Sequence, residues 1–204
     1  MELLADEYPG SAEQLCELDH VGAFQLLTAT ILSAQTTDVR VNQVTPALFA
    51  AYPTPDDLAA ANPAAVEEIV HSTGFYKNKT KSIIGMAAAL VERFDGEVPT
   101  KMSDYLTVPG VGRKTANVVR SVAQGLPGLP VDTHVLRVSG RLGLTTETDP
   151  VKVEHELSAM VPARERGLFS VRLILHGRRV CAARKPACDR CVLADFCPSA
   201  GTFG

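Results

Sequence analysis

The chain has 204 residues, 46% hydrophobic, 21% charged and 5% aromatic, with no tryptophan and a formal net charge of −3. That length holds one sizeable core or two small ones, and no apolar run approaches the roughly 20 residues a membrane span needs, so a soluble globular protein with no membrane partner is expected. The N-terminus, MELLADEYPG, is acidic and has no apolar stretch of the signal-peptide kind, which points to the cytoplasm. Charge is unevenly spread. Residues 1–20 carry six acids and no Lys or Arg, whereas 164–190 carry eight Lys or Arg against two acids. A local positive excess is the footprint of a polyanion partner, or else a solvated basic helix.

Ala- and Leu-rich segments of helical length alternate with Pro and Gly, and no strand pairs, repeats or low-complexity tracts occur. The fold class is therefore all-α. Helices are predicted near 22–33, 38–50, 55–60, 63–71, 78–94, 103–107, 113–124, 133–142, 150–160 and 165–181. Thr54-Pro55, Asn62-Pro63 and Asp149-Pro150 each place a capping side chain before a first-turn proline, and Gly74, Gly96 and Gly143 supply stops. Ile83, Ile84, Ala87, Leu90, Val91 and Phe94 form the apolar stripe of a core-facing helix. Two glycines and two prolines within 124–130 cannot continue a helix. That loop is the best candidate boundary, joining two lobes or turning a corner within one.

Chemistry concentrates in three stretches. In Val108-Pro109-Gly110-Val111-Gly112-Arg113-Lys114-Thr115 a short helix ends at proline and a new one begins after two glycines. Glycines let the backbone approach a ligand closely, and the free N–H groups of a helix start suit a phosphate; a packed glycine corner is the plainer reading. The mononucleotide-loop spacing is absent. Lys114, in the first turn beside Arg113, sits where the helix dipole and a second cation favour the neutral amine that Schiff-base chemistry needs; an ordinary surface lysine is the alternative. Asp132, in Val131-Asp132-Thr133-His134-Val135, stands at a helix N-cap after a loop able to return it toward the hairpin. Finally, Cys181, Cys188, Cys191 and Cys197 are spaced C-x6-C-x2-C-x5-C, with Cys16 the only other cysteine. Without a secretory context such thiols read as metal ligands. A single close pair with cysteines reaching in from both sides favours a cubane iron–sulfur cluster over zinc.

Together these stretches resemble the endonuclease III family of the helix-hairpin-helix DNA glycosylase superfamily. VPGVGRKTANVV resembles the family hairpin, LPVDTHVLRV its aspartate loop, the cysteine spacing its [4Fe–4S] loop, and LSAQTTD at 32–38 a fourth segment. The similarity runs over almost the whole chain in family order. It implies two helical lobes: a six-helix domain over 21–126 carrying the hairpin at about 103–124, and a smaller cluster domain made of 1–20 with 127–204. Lys114 and Asp132 would meet in a cleft between them.

The implied activity is that of a bifunctional DNA glycosylase and abasic-site lyase, removing oxidised pyrimidines in base excision repair. The implied partner is double-stranded DNA with damaged pyrimidines or abasic sites, bound by a monomer at the nucleoid. Lys114 would be the nucleophile, assisted by Asp132, and the four clustered cysteines would ligate a [4Fe–4S] cluster. Gln35 would fill the gap left by the flipped base, with Phe75 as a wedge or a core residue. The hairpin (Gly110, Val111, Gly112, Arg113) together with Arg184, Lys185 and Arg190 would hold phosphates. His134 would contact DNA or pack as a capping histidine. The absence of tryptophan excludes an indole platform for base recognition. Two rivals remain: a monofunctional glycosylase of the same fold, and a non-catalytic DNA-binding module. The presence of both Lys114 and Asp132 favours the bifunctional enzyme.

Overall fold

The computed structural model describes residues 1–202. Among them are eleven α-helices and no β-strand. The chain forms two compact units, Glu17–Gln124 and Met1–Cys16 with Gly125–Gly204.

In the first, α2 (Gly22–Leu32) is the central rod. Its residues from Leu26 to Leu32 are all buried, and Thr28 and Thr30 satisfy their hydroxyls by donating to Phe24 O and Leu26 O, one turn back. A polar side chain that bonds its own helix can enter a core without an orphaned donor. Around α2 lie α3 (Asp38–Ala51), α6 (Tyr76–Phe94) and α8 (Arg113–Val122). Two short helices, α4 (Pro55–Ala59) and α5 (Pro63–Val70), pack on α6. Both start at proline: Thr54 and Asp57 form a reciprocal capping box, and Asn62 accepts from the Ala64 amide. The one-turn α7 (Met102–Tyr105) leads into the hairpin before α8. Leu26, Leu48, Ile83, Met86, Leu90 and Tyr105 are fully buried, each contributing roughly 1.5–3 kcal/mol of hydrophobic stabilisation.

In the second unit α9 (Thr133–Arg141) packs along α11 (Arg166–Arg179), with α10 (Pro150–Met160) between them in sequence. Asp149 caps α10 by accepting from Val151 and Lys152 amides. The N-terminal α1 (Glu2–Glu7), which carries no start signal, was not expected from sequence. It is held by tertiary contacts: Arg172 Nε donates to Tyr8 O, and the Tyr8 hydroxyl lies 3.3 Å from His176 Nδ1. Among the described residues no helix is long and apolar enough to cross a membrane.

Candidate catalytic, DNA-contact and metal-binding residues

The turn before α8 is built by Gly110 and Gly112. Gly110 has φ +75° and packs so tightly that an added Cβ would lie 2.8 Å from Ser82 Cβ; both constraints demand glycine there. Gly112 is the N-cap of α8 and offers no side chain to its first turn; helix-start amides suit an anionic acceptor. Gly110 and Gly112 are themselves exposed. Val111 differs: its side chain is only 7% exposed, and its amide donates to Val108 O. It anchors the turn from beneath. Lys114 is exposed in the first turn, and Arg113 is half-buried beside it.

A second feature of this unit was only partly legible in sequence. Gln35 and Phe75 adopt left-handed backbone, at φ 55° and 48°, a conformation that costs a non-glycine residue roughly 1–2 kcal/mol. Phe75 is 67% exposed, yet stands at the N-cap of α6, where a small polar residue is usual. Gln35, Phe75, Lys79 and Gly110 line one open groove of about 320 Å³, with Ile31 at its apolar wall. Strained backbone of this kind clusters at ligand and binding sites and persists only where the surroundings hold it. Lys79 went unnoticed in the sequence. It lies on the buried face of α6 with Ile83, Met86 and Leu90, and a cation on an apolar stripe was the available signal.

In the other unit Asp132 caps α9. Its Oδ1 accepts from the amides of His134 at 2.8 Å and Val135 at 2.9 Å. The His134 ring accepts at Nδ1 from Arg137 Nη2 (3.0 Å), which also donates to Gly177 O (2.9 Å), while Arg137 Nε donates to Cys181 O (3.1 Å). Burial holds His134 below the ordinary histidine range; Asp132 opposes this, and Arg137 and Arg178 reinforce it. Arg137 thus ties the aspartate helix to the first cysteine, a role its sequence position did not disclose.

Cys181, Cys188, Cys191 and Cys197 line one pocket whose walls include Val138, Leu142, Val180 and Leu193. None of the five cysteines is in a disulfide. Arg141 Nη1 donates to Cys181 Sγ at 3.2 Å, and His176 Nε2 lies 3.4 Å from Cys191 Sγ. Burial pushes the Cys191 thiol up; the Leu193 amide opposes this, and the other three cysteines add to it. Four soft sulfur donors sharing an apolar pocket fit iron. Among the described residues no three His, Cys, Asp or Glu side chains are arranged to hold one metal ion. The four thiols would instead hold an iron–sulfur cluster, the group that four clustered cysteine ligands suit. The exposed Arg184, Lys185 and Arg190 belong to this loop region, with Arg190 Nη2 donating to Arg179 O.

Residues 28–163 match the family model of the HhH-GPD superfamily of base excision DNA repair proteins, and 181–197 match the iron–sulfur binding domain of endonuclease III. The chain is 54% identical over 199 residues to the endonuclease III of Synechocystis sp., covering 97% of this chain and 90% of that protein. Its structure is similar to that of a non-covalent endonuclease III–DNA complex, with TM-score 0.91, 40% identity, and coverage of 98% and 93% of the two chains. A trapped covalent endonuclease III–DNA intermediate is equally similar, at TM-score 0.91, 41% identity and the same coverage.

Proposed function

Because the chain belongs to the endonuclease III family of base excision repair glycosylases, with its abasic-site lyase activity and iron–sulfur cluster, we propose that Lys114 and Asp132 carry its chemistry on DNA containing damaged pyrimidines. The observation that carries this assignment is an exposed amine in the first turn of α8, behind a glycine N-cap with no capping side chain. The damaged base cannot be attacked inside the stack, so it is flipped out. Gln35 and Phe75, exposed and held in left-handed backbone, fill the gap it leaves. The hairpin amides and Arg113 fix a backbone phosphate without reading sequence.

Lys114 Nζ then gives its electron pair to C1′. The C1′–N bond breaks, and the base leaves with that bond's electrons and takes up a proton. The Asp132 carboxylate stabilises positive charge developing on the sugar and accepts a proton from the attacking amine. Opening of the sugar ring converts the adduct to an imine. Loss of a C2′ proton and rupture of C3′–O3′ complete β-elimination and nick the strand. His134, two residues from Asp132, lies on the same helix start and contacts the strand there.

Cys181, Cys188, Cys191 and Cys197 would hold a [4Fe–4S] cluster, which fixes the loop bearing Arg184, Lys185 and Arg190 on phosphates and supplies a redox-capable centre. The protein acts as a monomer on the nucleoid, in the cytoplasm. The test pairs base release from duplex containing an oxidised pyrimidine with borohydride trapping. Reduction of the imine should leave a permanent crosslink mapping to Lys114, and Lys114→Ala should abolish both trapping and nicking while still binding abasic duplex. Base release without nicking by the wild type would identify a monofunctional glycosylase instead. Trapping of Lys114→Ala at the wild-type rate would assign the nucleophile elsewhere.

A further inference from the structure

Lys79 is 5% exposed, and burial is what acts on its charge. Its Nζ donates to Thr36 Oγ1 and to Thr73 O, both at 2.7 Å, and the Thr36 hydroxyl donates to the same Thr73 carbonyl. Burying an ammonium among neutral acceptors is unfavourable, and burial accordingly pulls Lys79 below the ordinary lysine range. A methionine would fill a similar volume without that cost. What a methionine cannot do is join acceptors on two separate loops.

Those two loops are the ones that carry the strained residues. Thr36 directly follows Gln35, Thr73 precedes Phe75 by two positions, and the Lys79 amide donates to Phe75 O at 3.1 Å. Gln35 and Phe75 both hold left-handed backbone, which persists only where the surroundings over-determine it. The Lys79–Thr36–Thr73 triangle supplies that determination, and Lys79 itself lines the groove shared by Gln35, Phe75 and Gly110.

We propose that Lys79 is a positioning residue that locks the Gln35 and Phe75 loops at fixed spacing, so that both enter the gap in the duplex as one preformed wedge. The proposal rests on the reading of Gln35 and Phe75 as the gap-filling pair. Without the clamp each loop would relax toward ordinary backbone, and insertion would have to recover the strain at every encounter.

The experiment uses duplex bearing a non-cleavable tetrahydrofuran abasic analogue with 2-aminopurine opposite, whose fluorescence rises when the base is unstacked. Lys79→Met should reduce the unstacking signal at saturating protein. It should also slow single-turnover base release from lesion duplex on the order of tenfold, the scale of a small misplacement at a reacting centre. Nicking of a preformed abasic site in single-stranded DNA, which needs no gap filling, should fall less than about twofold. Thr36→Val should reproduce the pattern through the other side of the triangle, and Lys79→Gln, which keeps donors, should recover part of the signal. Wild-type fluorescence in both Lys79→Met and Thr36→Val would overturn the clamp. So would an equal fall in every readout, single-stranded nicking included, since that marks mere destabilisation. Gln35→Ala and Phe75→Ala run alongside: if neither dims the signal, the gap-filling reading itself fails, whereas loss there beside normal Lys79→Met fails the clamp alone.

Discussion

Asp132 caps a helix start and, in the mechanism proposed above, also has a chemical role. Its Oδ1 accepts from two amides of α9, so replacing it by alanine removes a cap worth about 1 kcal/mol as well as the charge. Asparagine keeps an acceptor oxygen and loses only the charge. Asp132→Asn should therefore unfold within about 0.5 kcal/mol of wild type, release bases from intact lesions on the order of 100-fold more slowly, and still nick preformed abasic sites, where no base needs to leave. Urea melts read beside the two assays separate cap from chemistry; equal slowing of both steps would remove Asp132 from the glycosidic step. The neighbouring His134 gives the fold a pH dependence. Burial holds its ring below the ordinary range, so folded and unfolded chains both carry it neutral above about pH 6.5. As pH falls below that value the unfolded state takes up the proton first, and stability is lost progressively down to the lowered folded value. His134→Asn, which retains an acceptor for Arg137, should flatten the fall in melting temperature between about pH 6.5 and 5 relative to wild type. An unchanged slope would mean that His134 does not titrate differently on folding.

Helices were legible where the sequence writes its own ends. Thr54-Pro55, Asn62-Pro63 and Asp149-Pro150 cap α4, α5 and α10 as their spacing indicated, and Gly96 and Gly143 follow α6 and α9 in left-handed conformation. What sequence could not supply is the face each helix buries. On α6 the buried set includes Lys79, Met86 and Ala89 as well as Ile83, Ala87 and Leu90, whereas Ile84, Val91 and Phe94 are only half-buried, because packing against α4 and α5 selects the face and hydrophobicity alone does not. Gly177 makes the same point on α11. A glycine inside a helix, here in the last turn of α11, reads as a weakness that alanine would mend by up to about 1 kcal/mol. In the structure an added Cβ would lie 2.9 Å from His134 Cβ and 3.1 Å from its Nδ1. The glycine is what allows α9 and α11 to approach, and Gly177 O accepts from Arg137 at that crossing. Gly177→Ala should therefore destabilise by about 1–3 kcal/mol, as overpacking does, read as a lower urea midpoint at unchanged slope. A raised midpoint would mean that helix propensity outweighs the crossing.

Across the whole molecule, charge is the property that composition hides. The net value of −3 suggests no affinity for a polyanion, yet binding responds to the local field within a Debye length of about 8 Å at physiological salt. The basic run at 164–190 is not uniformly available to DNA either. Arg172 is 8% exposed and bonded to Tyr8 O, and Arg166 is spent on Val161 O and Ser158 O. One letter in a sequence does not say whether a guanidinium reaches water or a carbonyl, so counting cations overstated the footprint. Lys185 is exposed beside the cluster loop, and its ammonium can displace counterions from a phosphate. If it does, Lys185→Ala lowers affinity for lesion and undamaged duplex alike, and reduces the slope of log K against log salt by roughly one unit. Lys152, already paired with Glu147 at 3.5 Å, is the control, and Lys152→Ala should leave that slope unchanged. Binding isotherms over a salt series on both duplexes decide the matter. A change in lesion preference with the slope intact would make Lys185 a reader of damage and not a phosphate contact.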